Sequence, residues 1–262
     1  MLSPTALVEL AARRGVDVLA LTDHDDISGL AEAAATAAAV GIRLVNGVEI
    51  SCGWLDELSV HVLGLGIDPD NAALRLGLDR VRNSRHERAR RMSDSLAAAG
   101  ISDALEGALA HAKNPSLLSR SHFARFLAHQ GYARDMKDVF NYYLVPGKPG
   151  YVAHEWAGLE EAIGWIRASG GMAVLAHPGR YPLPKADLRV LIGQFRDLGG
   201  EGIEVLSGSH TPEQFREYAD IARQYGLAAS RGSDFHGVGE SRTGPGALPA
   251  LAADLVPIWR HW

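Results

Sequence analysis

A run of apolar residues, Val18–Leu21, leads directly to three side chains that can bind metal ions: Asp23, His24 and Asp25. A strand that is covered on both faces reads as a continuous apolar run, and in α/β barrels the functional residues gather where such strands end. An alanine-rich helix and a second apolar strand follow, which predicts a β-α-β unit. The chain is therefore constrained to an α/β fold with its active face at the strand ends.

Helix and strand patterns alternate through most of the sequence, with one long interruption. Further strands are predicted at about 58–67, 172–176, 202–206 and 227–230. Between about 72 and 150 the strand signal disappears and helical patterns take over. A length of 262 residues suits one barrel plus a small insertion. We predict an α/β barrel over residues 1–71 and 151–262, interrupted by a helical substrate-binding subdomain over 72–150.

Histidine and carboxylate side chains recur at the predicted strands. They are His24, Glu49, His61, His177, Asp234 and His236. All except His61 are predicted at carboxyl ends, which open on one face of a barrel. One histidine at a strand end is more often structural, but five repeated ends favour a shared site. Imidazole and carboxylate ligands suit Mn²⁺, Fe²⁺, Zn²⁺ or Mg²⁺, with more than one ion bound.

Composition limits the partners and the compartment that we expect. Lys and Arg total 26 against 31 Asp and Glu, so the whole chain has no general attraction to DNA or to an anionic membrane. A single cysteine, Cys52, excludes an internal disulfide and a thiolate metal cage, and suits a reducing compartment. No apolar run approaches the roughly 18 residues of a membrane span. We expect a cytoplasmic protein, and we infer no protein partner.

The predicted insertion begins with a helix that concentrates positive charge. Its arginines are Arg80, Arg82, Arg85, Arg88, Arg90 and Arg91. Residues three apart are neighbours on a helix, and guanidinium groups match phosphate with two parallel hydrogen bonds. A solvated helix face is the alternative interpretation of such a charge run. The sequence therefore predicts either a local phosphate site or a surface helix.

The motifs together resemble the PHP (polymerase and histidinol phosphatase) superfamily of metal-dependent phosphoesterases. The matching segments in the strands are Thr22–Asp25, Asn46–Glu49, His61, Ala176–Arg180 and Gly232–His236. Within that superfamily, other segments resemble the branch of 3′,5′-nucleoside bisphosphate phosphatases: Glu87–Arg90, Ser119–Arg125, Pro146–Tyr151 and Gly208–His210. The resemblance extends from Leu2 to about Trp259. Each motif alone is weak, but their order and spacing are specific.

This resemblance implies a distorted (β/α)₇ TIM-like barrel with a helical insertion and a centre of up to three divalent ions, Mn²⁺ first among them. The implied metal ligands and catalytic residues are His24, Glu49, His61, His177, Asp234 and His236. The implied substrate-binding residues are Glu87, Arg88, Arg90, Ser119, Arg120 and Arg180. The implied reaction removes the 3′-phosphate of adenosine 3′,5′-bisphosphate by attack of metal-bound hydroxide. Trimming of short RNA from the 5′ end is an additional activity of some members.

The sequence departs from the family pattern at its start. Members begin with a strand that ends in His-x-His, followed by Asp-Gly, and neither motif occurs here. Either the natural protein starts earlier than Met1, which we favour, or this relative has lost part of its site. In both cases we expect a barrel that lacks its first strand, with two exposed strand edges and a weakened metal site.

Several roles stay open at this stage. The general acid for the leaving group is His61, His154 or His210 on chemistry alone. Asp23 and Asp25 are either ligands or groups that orient the imidazole of His24.

Two further residues also have alternative roles. Glu204 either supports the site or pairs with a nearby arginine, and Trp156 either packs in the core or stacks on a base.

The predicted function has alternatives as well. Another PHP phosphoesterase, such as a histidinol-phosphate phosphatase, is the alternative within the class. A non-catalytic nucleotide- or metal-binding relative is the alternative outside it.

Overall fold

The computed structural model describes residues 2–55, 58–112, 115, 118–153 and 156–262. The chain forms two compact units. The α/β unit comprises Met1–Leu78 and Ala157–Trp262, and the helical unit comprises Asp79–Trp156. The sequence predicts the insertion over 72–150, and its role as a substrate-binding subdomain stays a prediction.

The α/β unit alternates helices and strands. Its helices are α1 (Pro4–Arg13), α2 (Leu30–Val40), the start of α3 (Ala72–Ala98), α7 (Leu159–Ala168), α8 (Lys185–Asp197) and α9 (Pro212–Tyr225). Its strands are β1 (Val18–Leu21), β2 (Arg43–Trp54), β3 (Leu58–Leu65), β4 (Ala157–Gly158), β5 (Met172–Leu175), β6 (Gly202–Ser207) and β7 (Ala228–Gly232). The helical unit contains the rest of α3, α4 (Ala104–Ala110), α5 (Arg120–His129), α6 (Met136–Val139) and a π-helical turn at Phe140–Leu144.

Short-range chemistry explains where several helices begin and end. The Ser3 hydroxyl accepts the Ala6 N–H at 3.2 Å, and Pro4 takes the first helical position of α1. Gly41 ends α2 with a φ of 76°, which glycine adopts without steric cost. Thr211 caps α9 by accepting the Gln214 N–H at 3.3 Å. These local signals place the helices between the strands that carry the site.

The sheet is mixed in its middle and parallel at its two sides. Its order is β1-β2-β3-β5-β6-β7, with β4 beside β2. The β2–β3 and β3–β5 pairs are antiparallel, and the other pairs are parallel. Because β2 is 12 residues long and continues beyond the four residues that pair with β1, Glu49 lies inside this strand. The prediction that Glu49 terminates a strand is therefore wrong.

The sheet curls without closing. Within the described residues, β1 and β7 form the two ends of the strand order. Both line one cavity of about 460 Å³, which also reaches Glu49, His177 and Asp234. This curled sheet with flanking helices confirms the predicted α/β, TIM-like fold, and the absence of a first strand stays a prediction.

The helical unit has a core of its own. Leu96, Phe123, Leu127, Val139 and Leu144 are fully buried in it. Burying side chains of this size contributes roughly 1.5–3 kcal/mol each, which is consistent with a separately packed unit. Among the described residues, no helix combines the length and apolarity of a membrane span.

Candidate metal centre

The end of β1 is tied to β2 by backbone hydrogen bonds. His24 forms an isolated parallel bridge with Glu49. The Asp25 N–H donates to the Glu49 carbonyl at 2.9 Å, and the Glu49 N–H donates to the Asp23 carbonyl at 3.1 Å. These bonds fix the backbone of His24 beside that of Glu49, although 24 residues of chain separate them.

Glu49 lies at the centre of three imidazoles. One carboxylate oxygen, Oε1, lies 2.7 Å from His61 Nδ1 and 2.9 Å from His177 Nε2. The other oxygen lies 3.8 Å from His24 Nε2. The nitrogens His61 Nδ1 and His177 Nε2 are themselves 3.2 Å apart. Side chains on β3 and just after β1 and β5 thus converge on a carboxylate of β2.

The charge of Glu49 is maintained by these neighbours. Its side chain is buried, and burial alone raises the pKa of a carboxyl group. The attraction of His24 and the hydrogen bonds from His177 and His61 outweigh burial, so the pKa of Glu49 lies well below its ordinary value. The site therefore contains a buried carboxylate anion at neutral pH, which suits a cation ligand.

Asp234 and His236 extend the cluster after β7. Asp234 supplies a carboxylate oxygen within 4.8 Å of ligand atoms of Glu49 and His177. Arg180 forms a 2.9 Å ion pair with Asp234. His236 Nδ1 lies 3.5 Å from the Asp234 carboxylate, and its ring lies 5.9 Å from that of His24. His236 is half exposed and borders the cluster rather than joining its buried part.

Three residues of this region adopt a backbone conformation that side chains other than glycine rarely take. The φ angles are 51° at Asp25, 26° at His177 and 51° at Asp234. Each of these residues follows a strand that ends at the site. Such conformations cost about 1–3 kcal/mol each and cluster at functional sites. The strain is a second, independent indication that this face of the sheet is the functional one.

The ligand groups fit divalent metal ions. Two sets of three residues each bring their donor atoms within 4.8 Å: His24, Glu49 and His61 form one, and Glu49, His177 and Asp234 form the other. His177 Nδ1 is buried and has no hydrogen-bond partner among the described residues. Imidazole and carboxylate donors suit Mn²⁺, Fe²⁺, Zn²⁺ or Mg²⁺ and do not select one of them. Because Glu49 belongs to both sets, it would contribute a ligand to either of two ions.

Two acidic side chains near the cluster hold backbone groups. Asp25 is fully buried, and its Oδ1 accepts the Ser51 N–H at 2.8 Å. Glu204 is also buried, and its Oε2 accepts the His177 N–H at 2.6 Å. Burial, followed by the charges of Glu49 and Asp234, raises the pKa of Glu204 well above its ordinary value. A lone acid inside the apolar strand 202–206 was the sequence signal for Glu204.

His210 is unsuited to donate a proton from Nε2. Its Nδ1 lies 3.2 Å from the Val205 carbonyl, and its Nε2 accepts the Gly179 N–H at 3.1 Å. This tautomer leaves Nε2 as an acceptor. Burial lowers the pKa of His210 to about 4, so the ring is neutral at pH 7. His154, another candidate acid, lies outside the described residues.

The arginine cluster belongs to the helical unit. Arg88 is buried, and its Nε donates to the Val152 carbonyl at 2.7 Å. Burial, and then the nearby charge of Arg120, lowers the pKa of Arg88 to about 10. A buried cation near like charges is stabilised when an anion binds. This environment favours the phosphate-site interpretation over a solvated helix face for Arg88.

The other predicted substrate residues of this unit are held differently. Ser119 precedes α5, and its N–H donates to His122 Nδ1 at 3.0 Å. Arg120 donates to the Leu144 carbonyl at 3.5 Å. Glu87 and Arg90 form a long, exposed ion pair of 3.9 Å on α3. Their roles in substrate binding stay predictions.

Comparison with known proteins gives consistent results. No family model matches the chain. A 3′,5′-nucleoside bisphosphate phosphatase of Chromobacterium violaceum is 51% identical over 260 residues, which is 99% of this chain and 91% of that protein. The 5′-3′ exoribonuclease Rnm of Salmonella typhimurium is 42% identical over 268 residues, covering 100% of this chain and 89% of the relative.

Two solved structures share the fold. One is a Chromobacterium violaceum protein called an amidohydrolase, determined with sulfate and no metal; it is 51% identical with a TM-score of 0.85, over 99% of this chain and 90% of that one. The other, from Bifidobacterium adolescentis and assigned as a metal-dependent phosphoesterase, is 28% identical with a TM-score of 0.73, over 98% and 88% of the two chains.

Proposed function

The chain belongs to the PHP superfamily of metal-dependent phosphoesterases, and we propose that it hydrolyses the 3′-phosphate of nucleoside 3′,5′-bisphosphates. For adenosine 3′,5′-bisphosphate the products are AMP and inorganic phosphate. The proposal is carried by one observation: Glu49 is a buried carboxylate shared by three imidazoles in a chain that is 51% identical to a phosphatase of that name. The protein is a metal-dependent phosphoric monoester hydrolase.

The residues of the cluster would hold divalent ions in defined roles. His24, Glu49 and His61 would hold one ion, and Glu49, His177 and Asp234 a second, with His236 beside Asp234. Bound divalent ions lower the pKa of water and stabilise charge on phosphoryl oxygens. Mn²⁺ is our first choice of metal, and Mg²⁺, Fe²⁺ and Zn²⁺ are the alternatives to test. A cytoplasmic location stays a prediction.

Arginines supply the phosphate contacts in this proposal. Arg180 is held at the cluster by Asp234 and is available to bind an oxygen of the scissile phosphate. Arg88, Arg90, Ser119 and Arg120, with Glu87, are proposed as substrate-binding residues of the helical unit. Guanidinium groups neutralise and orient phosphate through paired hydrogen bonds. No covalent enzyme intermediate is needed in this scheme.

A second activity is favoured by a specific relative. The Salmonella typhimurium protein, 42% identical across the whole of this chain, is named a 5′-3′ exoribonuclease. We therefore propose short 5′-phosphorylated RNA as a second substrate class. In both substrates, one nucleotide carries phosphate on its 5′ and on its 3′ oxygen. One phosphate site would therefore serve both substrates.

Phosphate release from adenosine 3′,5′-bisphosphate tests the main proposal. The purified protein is assayed with Mn²⁺ and, separately, with Mg²⁺, and Asp234→Asn is compared with Asp254→Asn, which changes an exposed carboxylate elsewhere. We expect turnover that Asp234→Asn abolishes and Asp254→Asn preserves. Background release with both metals, or an unaffected Asp234→Asn, would contradict the proposal. Faster turnover of histidinol phosphate would reassign the substrate, and faster turnover of an RNA oligomer would make the exoribonuclease activity the main one.

A further inference from the structure

The turn that follows β5 is bonded to its surroundings at almost every residue. It comprises Ala176–Tyr181 and includes His177. Its residues Pro178–Arg180 form a short 3₁₀ helix. His177 has a φ of 26°, a conformation that persists only when surrounding contacts impose it. The orientation of its imidazole therefore depends on whatever holds this turn.

The hydroxyl of Tyr181 joins the turn to β3. It accepts the His61 N–H at 2.9 Å and donates to the Ala176 carbonyl at 2.8 Å. The Ala176 N–H in turn donates to the His61 carbonyl at 3.1 Å. The hydroxyl thus extends the antiparallel ladder between β3 and β5 at the end that lies next to His61 and His177. Its ring also lies edge-on to that of His177, with centroids 5.8 Å apart.

The opposite side of the turn is held by β6 and α9. Glu204 accepts the His177 N–H, and His210 accepts the Gly179 N–H. Gln214 Nε2 donates to the Gly179 carbonyl at 3.2 Å. A Cβ atom at Gly179 would lie 2.6 Å from Gln214 Nε2, so the turn is packed against these groups. With this side fixed, the Tyr181 hydroxyl is the side-chain group that links the turn to the backbone of His61.

We propose that Tyr181 is a positioning residue whose hydroxyl sets the distance between His61 and His177, and thereby the affinity of the centre for divalent ions. The two imidazoles contact the same oxygen of Glu49, at 2.7 and 2.9 Å. A small displacement of one imidazole therefore changes the position of that oxygen relative to the other. Groups that orient metal ligands typically change affinity or activity about 10- to 100-fold when removed. The inference rests on the metal-dependent function proposed above.

Tyr181→Phe tests this role because it removes only the hydroxyl. The matched control is Tyr225→Phe, which removes a hydroxyl that donates to the Arg189 carbonyl at 3.3 Å, away from the cluster. Mn²⁺ binding is measured by titration calorimetry, and the metal-free proteins are compared by the imidazole NMR signals of His61 and His177. We expect Mn²⁺ affinity to fall about 10- to 100-fold in Tyr181→Phe only, with both imidazole signals shifted in the metal-free variant.

The outcomes separate this inference from the proposed function. Wild-type Mn²⁺ affinity in Tyr181→Phe overturns the inference, as does a loss equal to that of Tyr225→Phe. A lower unfolding temperature with unchanged Mn²⁺ affinity shows a purely structural role and also overturns it. Mn²⁺ binding that depends on Tyr181, in a protein that releases no phosphate, contradicts the proposed function and leaves the inference standing. A wild-type protein that binds no Mn²⁺ contradicts both.

Discussion

The two charged clusters of this protein are built in different ways. In the α/β unit, a buried carboxylate lies among imidazoles that bond to it and to each other. In the helical unit, a buried guanidinium lies near other arginines, and that environment lowers its pKa to about 10. The first cluster is stabilised by the attraction between the Glu49 carboxylate and the surrounding imidazoles. The second cluster would be stabilised by a bound anion.

This difference teaches what each cluster is suited to bind. Mutual bonding around Glu49 holds the donor atoms in place before a cation arrives, which lowers the cost of binding it. Repulsion around Arg88 would be relieved by a negative ligand. We therefore expect changes in the first cluster to abolish metal binding, and changes in the second to weaken substrate binding without affecting metal.

Glu49→Gln is expected to have the largest effect. The amide cannot serve as the anionic ligand shared by two ions, so phosphate release should fall about a thousandfold or more. The loss of stability should stay below the roughly 3–5 kcal/mol seen when a fixed charge loses its partner, because the amide oxygen of glutamine can still accept hydrogen bonds from the imidazoles. Turnover, Mn²⁺ affinity and urea unfolding are measured beside Glu160→Gln, an exposed carboxylate of α7. Retained Mn²⁺ affinity in Glu49→Gln would show that the first cluster does not need the Glu49 carboxylate to bind metal.

Stability at low pH should depend on His210. Its folded pKa of about 4 lies below the ordinary 6.5, because burial and the nearby His177 disfavour the charged ring. The unfolded chain therefore binds the proton first as pH falls. The stability contributed by neutral His210 is present above about pH 6.5 and is lost progressively toward pH 4, by at most about 3 kcal/mol.

The comparison between His210→Gln and wild type isolates this contribution from the other histidines. Free energies of unfolding in urea are measured from pH 7.5 to pH 4.5. The wild type should lose more stability than His210→Gln over that range, whereas His129→Gln, at an exposed position of α5, should follow the wild type. Parallel curves for the wild type and His210→Gln would mean that His210 is not held neutral.

Arg88→Met probes the second cluster. Methionine keeps the buried volume and removes the charge, so hydrogen bonds worth about 1.5–3 kcal/mol to a phosphate are lost. KM should rise about 10- to 100-fold with Mn²⁺ affinity unchanged. Stability should change little, because the relief of repulsion between arginines offsets the lost hydrogen bond to the Val152 carbonyl. Arg216→Met, on the exposed face of α9, is the control. A loss of Mn²⁺ affinity in Arg88→Met would break the division of labour between the clusters.

The sequence revealed these clusters to different depths. The arginines are visible because they follow one another on a single helix. The candidate ligands were recognised because polar side chains interrupt or follow apolar strands, although Glu49 and His61 lie within strands rather than at strand ends. The antiparallel β2–β3 pairing that brings them together depends on contacts between strands, which periodicity does not encode. Tyr181 gave no signal, since a tyrosine after a strand is usually packing.

Glu87→Gln is expected to have the smallest effect and sharpens the view of the second cluster. Glu87 and Arg90 are more than half exposed and 3.9 Å apart, so their pair contributes little to stability. The free energy of unfolding should change by less than about 0.5 kcal/mol, as measured by urea titration. The rise in KM should also be smaller than that of Arg88→Met, because water screens exposed charges and competes for their hydrogen bonds. Equal KM changes in the two variants would show that the exposed face of α3 binds substrate as strongly as its buried arginine.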